Sequence, residues 1–203
     1  MFKSICKKAV ALLLVATCIV TFASGCSKKE NAATANHPQV QFEMENGDKM
    51  VFELYPEFAP ETVSNFISLA EAKFYDGLTF HRIMKDFMVQ GGDPEGTGAG
   101  GSDKTIKGEF SSNGFTKNTL KHTRGVISMA RSNDPDSASS QFFIMTVEYP
   151  SLDGNYAAFG KIISGEDTLD KIANTPVEAD KRTGELSVPT ETVKIKTVTV
   201  LSK

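Results

Sequence analysis

The sequence predicts a mainly β fold, a closed antiparallel barrel capped by two α-helices, on three observations. Short runs of alternating apolar and polar residues recur from Val40 to Val200, the period of half-buried strands. Only two segments, one from Pro60 to Phe74 and one from Glu166 to Ala173, carry apolar residues at helical spacing. A chain of 203 residues with 40% hydrophobic content supports one domain with a substantial core. Many strands with two short helices fit such a barrel, and no internal repeat is visible.

Three parts follow in order: residues 1–25, 26–38 and 39–203. Lys3, Lys7 and Lys8 precede an uncharged apolar run, Ala9 to Phe22, which suits a signal-peptide core and is short for a membrane span of ~20 residues. Ala23-Ser24-Gly25 then precedes Cys26. Small residues followed by Cys resemble a bacterial lipobox, whose Cys is acylated and becomes the mature N-terminus. Ala23 departs from that pattern, where Leu is usual, and ordinary signal peptidase would accept the same bond. Ser27 to Asn36 are small and polar without apolar periodicity, as a flexible tether would be. The expectation is an exported chain, lipid-anchored to the membrane on its extracytoplasmic face.

Within 39–203, Val40, Phe42 and Met44 alternate with polar residues, and Met50, Phe52 and Leu54 repeat the pattern after Asn46-Gly47. A two-residue turn would oppose Phe42 to Val51 and cross the faces. A three-residue loop, Asn46 to Asp48 with Gly47 left-handed, opposes Phe42 to Phe52 and keeps them together. Pro60 suits the first position of a helix whose Val63, Phe66, Ile67, Ala70 and Phe74 form one stripe; Asp76-Gly77 ends the segment. Gly125 to Ala130, Gln141 to Thr146 and Ala157 to Ile163 read as strands, with a polar loop from Arg131 to Ser140. Val193 and Ile195 fall on one phase and Val198 and Val200 on the other, which predicts a bulge near Thr197 or burial on both faces.

The stretch that carries chemistry is Phe80 to Asp93, read as two short strands broken near Lys85-Asp86 and ended by Gly91-Gly92. Alternation places Arg82 on one face with Phe80 and Met84, and Ile83 opposite. Met88 and Gln90 share a face of the second strand. The carboxylates of the stretch are Asp86, in the break between the strands, and Asp93, past the Gly-Gly turn, so neither strand carries one to neutralise Arg82. An unpaired Arg beside Phe and Met suits an uncharged, partly apolar ligand needing one strong donor. The same residues also fit an Arg that merely snorkels from a strand edge.

Phe80-His81-Arg82 with Phe87-Met88-Val89-Gln90-Gly91-Gly92-Asp93 resembles the signature of the cyclophilins, the peptidyl-prolyl cis-trans isomerases. Ser128-Met129-Ala130, Ser140-Gln141-Phe142-Phe143-Ile144 and Phe159-Gly160-Lys161 follow in the family's order, and the resemblance runs from about Val40 to Leu201. It implies a cyclophilin-like barrel, proline-containing polypeptides as substrates, no cofactor, and Arg82 as the catalytic donor. It also implies a proline pocket of Phe87, Met88, Phe143 and Leu152, with Gln90 on the substrate backbone. Ala130 would line the subsite before the proline, and Gln141 would sit behind the substrate-binding residues as a supporting partner. Arg131 stands where well-known members have Asn, so only a main-chain contact carries over. Tyr156 replaces a pocket-edge His, keeping an aromatic wall and a hydroxyl without the imidazole.

Other classes find little footing. Cys6, Cys18 and Cys26 all precede the domain, which leaves it without Cys-based metal ligation or a Cys nucleophile. A net charge of −3 that includes the three leader lysines argues against nucleic acid. Three scattered His without Gly-x-Ser-x-Gly give no serine hydrolase, and His81 and His122 read as structural. Gly91 to Ser102 holds six glycines but lacks the Gly-Lys-Ser/Thr of a phosphate loop. The expectation is a monomeric isomerase that assists folding of exported proteins; a non-catalytic module holding proline segments in the same groove is the alternative.

Overall fold

The strand hairpin that opens the domain shows how the alternation is used. In the computed structural model, which describes residues 37–203, β1 (Gln39–Met44) and β2 (Lys49–Leu54) bury Val40, Phe42, Met44, Met50, Phe52 and Leu54 on one face. The leader, Cys26 and residues 27–36 lie outside the described residues. His37 and Pro38, expected in the tether, already pack on the domain: His37 meets the Tyr55 ring edge-on at 5.0 Å, and Pro38 O accepts from Leu54 N.

The β1–β2 loop has three residues as expected, but they are Glu45 to Gly47, and Phe42 opposes Met50 rather than Phe52. Gly47, at φ +86°, takes the left-handed position that closes such a loop, and Met44 N bonds Asp48 O at 2.8 Å. A left-handed Gly must be the third loop residue, which sets the register. The two registers differ by two residues, so the same side chains reach the core.

Helix α1 (Pro60–Glu71) buries Thr62, Val63, Phe66 and Ala70. Its N-cap, Ala59, offers no side-chain acceptor; the buried Glu109 does so instead. Glu109 Oε1 accepts from Glu61 N at 3.0 Å and Oε2 from Thr62 N at 2.8 Å, while Pro60 has no N–H to satisfy. The helix stops before Asp76-Gly77. Lys73 adopts φ +59°, and Phe74 N bonds Leu69 O at 2.9 Å, which ends the helix in a left-handed cap.

Six further strands join the hairpin in one antiparallel sheet: β3 (Phe80–Met84), β4 (Met88–Gly91), β5 (Val126–Met129), β6 (Phe142–Met145), β7 (Ala158–Ser164) and, after α2 (Glu166–Ala173) and the hairpin β8 (Val177–Ala179)–β9 (Leu186–Pro189), β10 (Ile195–Ser202). The order is β10-β1-β2-β7-β5-β6-β4-β3. The expected closed barrel is corrected here: the ladder does not close between β3 and β10. One bridge, Thr79 to Lys194, and flanking bonds such as Phe80 N to Val193 O span the seam. Next to the seam each strand slips in register against its inner neighbour, β3 at His81 against β4 and β10 at Lys196 against β1. The second slip is the bulge expected near Thr197.

The slip at His81 also corrects the expected face of Phe80. Phe80 and Ile83 both enter the main core, and Arg82 shares its side with Met84, Met88 and Gln90. An extra residue in one strand inverts the alternation beyond it. The main core is aromatic: Phe66 stacks on Tyr75 at 4.9 Å and meets Phe142 and Phe159 at 5.7 and 5.2 Å. Strands β5 and β6 are buried on both faces. Phe142 and Ile144 point to the main core, whereas Phe143 and Met145 join Met88, Val126 and Ala158 in a second cluster. That second face carries the site.

Candidate active site

Four strand-borne side chains and three loops build the site over the second cluster. Met88 and Gln90 alternate with the core residue Val89 on β4, and Phe143 lies between core residues Phe142 and Ile144 on β6. Arg82 reaches in from β3, paired across the ladder with Gln90. Phe87 comes from the β3–β4 turn, and Ala130-Arg131 follow β5 directly. Leu152 ends a single 3-10 turn, Pro150–Leu152, and Tyr156 follows it. Arg82, Phe87, Met88, Gln90, Ala130, Arg131, Phe143, Leu152 and Tyr156 together line one cavity of about 200 Å³.

Gln141 lies outside that cavity and behind Gln90. Arg82 Nη1 donates to Gln90 Oε1 at 3.0 Å, Gln90 Nε2 donates to Gln141 Oε1 at 2.9 Å, and Gln141 Nε2 donates to Gly100 O at 2.7 Å. Each amide is oriented by the next, so Gln90 has one defined direction. Gln141 also borders a second cavity of about 410 Å³, shared with Gly98–Ser102, Ala130 and Arg131.

Arg82 is not the unpaired cation that the local sequence suggests. Its Nε donates to Glu185 Oε1 at 2.6 Å and its Nη2 to Glu185 Oε2 at 2.8 Å, a fork-to-fork pair. Nη2 also meets Met84 Sδ at 3.2 Å, and Nη1 lies 3.8 Å from Met88 Sδ. The Nη1 edge is thus the one turned to the cavity, its second N–H held only by a distant thioether. Arg82 hydrogen bonds hold the Glu185 carboxyl below its ordinary pKa. The partner stands 103 residues downstream, so no pattern around Arg82 signals it. The β8–β9 hairpin that carries it had a legible sign, the Asp180-to-Gly184 turn: Asp180 Oδ1 accepts from Arg182 N and Thr183 N.

Arg131 contributes more than a main-chain contact. Its guanidinium lies over the Tyr156 ring at 4.6 Å and the Phe110 ring at 5.1 Å, and Nε and Nη2 donate to Asn155 O. The side chain therefore walls the cavity beside Tyr156, which meets Phe143 edge-on at 5.6 Å. Tyr149, which the sequence does not single out, packs on Phe87 at 4.6 Å from outside the cavity lining.

Beneath Phe143, His122 Nδ1 lies 3.1 Å from Asp153 Oδ1 and Nε2 lies 3.0 Å from Ser128 Oγ. This has the connectivity of a Ser-His-Asp triad, but His122 and Ser128 are 1% and 0% exposed, so no substrate reaches the hydroxyl. A neutral His122 protonated on Nδ1 satisfies both bonds, donating to Asp153 and accepting from Ser128. Burial pushes its pKa down, against the opposing pull of Asp153. The ring lies parallel to Phe143 at 6.0 Å, supporting the cavity floor. The structural reading of His122 agrees with this geometry.

The glycine loop is tied up internally. Asp93 Oδ1 accepts from Glu95 N, and Oδ2 from Thr97, Gly98 and Gly100 N, at 2.6 to 3.3 Å. Those amides would have to be free to cradle a phosphate, and a carboxylate already occupies them. At the start of the loop, Gly92 has φ +84° and a Cβ there would sit 2.5 Å from Ser140 O, which explains the second Gly of the turn. Among the described residues, no group of three His, Cys, Asp or Glu is placed to hold a metal ion.

Comparison with known proteins places this architecture. The family model described as cyclophilin type peptidyl-prolyl cis-trans isomerase/CLD matches residues 39–200. Peptidyl-prolyl cis-trans isomerase B of Bacillus subtilis (strain 168) is 46% identical over 141 residues, 70% of this chain and 94% of the relative. A Cryptosporidium parvum cyclophilin type peptidyl-prolyl cis-trans isomerase, solved in the presence of the dipeptide Ala-Pro, superposes with a TM-score of 0.69 at 33% identity. The superposition covers 81% of this chain and 99% of that one.

Proposed function

This chain belongs to the cyclophilin-type peptidyl-prolyl cis-trans isomerase family and is a peptidyl-prolyl cis-trans isomerase, and from that premise we propose that Arg82 is its catalytic donor. The observation that carries the assignment is the position of Nη1: it is fixed by Gln90 and turned toward a cavity also lined by Phe87, Met88, Ala130, Arg131, Phe143, Leu152 and Tyr156.

Rotation about an X-Pro bond crosses a barrier of ~20 kcal/mol because it breaks amide resonance. No proton need be transferred. As the amide twists, its nitrogen regains a lone pair that accepts a hydrogen bond. A charged N–H facing that position interacts more strongly with the twisted amide than with the planar one, and the apolar walls keep water from competing. The proline ring occupies the 200 Å³ cavity, in keeping with the Ala-Pro dipeptide of the Cryptosporidium neighbour. Gln90, oriented by Gln141, holds the peptide backbone. Ala130 and the Arg131 wall flank the residue before the proline.

Arg82→Ala is expected to lower kcat/KM by one to three orders of magnitude, or about 1.4–4 kcal/mol of transition-state stabilisation, with the fold intact. A protease-coupled assay on a short X-Pro peptide measures this, and wild-type activity in the variant would remove Arg82 from the reaction. The same proposal places the enzyme outside the cytoplasm as a monomer, anchored by an acylated Cys26 and acting on proline-containing segments of exported proteins. Its support is the basic and apolar leader, the small residues before Cys26 and the polar stretch after it.

A further inference from the structure

We propose that Glu185 is a positioning residue for the isomerisation, presented by the β8–β9 hairpin to fix the guanidinium of Arg82 before a peptide arrives; this rests on the assignment of Arg82 above. Arg82 hangs from β3, an end strand of the sheet, on a flexible stem whose rotamer freedom is considerable. Two parallel bonds to one carboxylate, at 2.6 and 2.8 Å, set the plane of the guanidinium. With Nε and Nη2 committed to Glu185 and Met84, only the Nη1 edge remains for Gln90 and the cavity.

Glu185 itself does not line the proline cavity. It borders the neighbouring cavity of about 410 Å³, with His81, Arg82, Gln90, Asp180 and Arg182 around it. It touches the reaction only through Arg82. Its own place is set by the hairpin tip, where Asp180 N bonds Glu185 O and Gly184 N bonds Asp180 O, both at 2.7 Å. β9 in turn packs against β3. The backbones carrying the two charges are therefore held against each other, and the pair does not depend on two free side chains meeting.

The pair is about one-third exposed on each side, at 31% and 32%. A pair so open to water contributes little to global stability, so its loss should appear in turnover rather than in folding. Glu185→Ala is expected to lower kcat for a short X-Pro peptide by about tenfold to a hundredfold, the scale of a misplaced catalytic group. KM and the unfolding midpoint should change little. Glu185→Asp should recover part of the loss. Exchange NMR on the peptide separates kcat from KM. On the protein, the Arg82 Nε–H resonance should be sharp in the wild type and broadened in Glu185→Ala.

In an Arg82→Ala background, Glu185→Ala should cost nothing further. Wild-type kcat in Glu185→Ala, or an equal loss in the Arg82→Ala background, would overturn the role of Glu185 while leaving Arg82 assigned. Full activity of Arg82→Ala alone would overturn both assignments.

Discussion

At the scale of single residues, buried histidines make the domain acid-sensitive. His122 is buried between Asp153 and Ser128, and both ring nitrogens of His81 are buried without a hydrogen-bond partner. Burial pushes both pKa values down. Unfolded, these rings take up protons near pH 6.5; folded, they resist until a lower pH. The unfolded state thus binds more protons in that window, and stability falls as pH drops below about 6.5. The slope is at most about 1.4 kcal/mol per pH unit for each ring. Urea unfolding between pH 7.5 and 4.5 checks this, and His122→Gln should flatten the curve at some cost in stability at neutral pH. A flat wild-type profile would show that these rings titrate normally.

At the scale of elements, the ends of α1 show what capping chemistry can and cannot reveal. Pro60 marks the start locally, but the acceptor for the first amides is Glu109, 47 residues from Thr62. At the other end, Lys73 stands at φ +59°, a conformation that costs an L-residue about 1–2 kcal/mol and a glycine almost nothing. Lys73→Gly is therefore expected to stabilise the protein by about 0.5–1 kcal/mol, raising Tm by roughly 1–4 °C, because the strain relieved exceeds the extra chain entropy. Thermal unfolding reads the sign directly; a lowered Tm would mean that Lys73 makes compensating contacts. The β1–β2 loop was likewise legible in length and in its left-handed Gly47. Its two-residue offset was not, since both registers bury the same face.

At the scale of the whole molecule, the proposed anchor makes the sharpest distinction. If Cys26 is acylated, the wild-type chain fractionates with membranes, and Cys26→Ser appears in the medium or accumulates as uncleaved precursor. If both fractionate alike as soluble secreted protein, ordinary signal cleavage is the right account. The sheet itself shows where composition-level reasoning stops. Antiparallel strands and two helices followed from periodicity, yet no ladder closes the seam between β3 and β10, which one bridge and a few flanking backbone bonds span. The slip at Lys196 left a mark in the sequence, as Ile195 and Val198 fall on opposite phases. The slip at His81 left none, since Phe80 reads equally well on either face.

The sequence by itself determined the strands of the large sheet, the two helices, the block containing Arg82, and nine residues that the fold gathers around one cavity, but not the β8–β9 hairpin. These depend on period, turn residues and composition within a few positions, or on motifs preserved as contiguous blocks. The tertiary structure decided that Arg82 is paired, that Glu109 caps α1, that Arg131 lies over Tyr156, and that Asp153 connects to His122 and Ser128, both out of reach of solvent. Each of these joins side chains whose strands or loops meet only after the sheet has curled. An ionic or hydrogen-bonded partner acts over a few ångströms in space and leaves no periodicity along the chain. Glu185 therefore reads as a surface carboxylate in a polar turn until β9 is laid against β3.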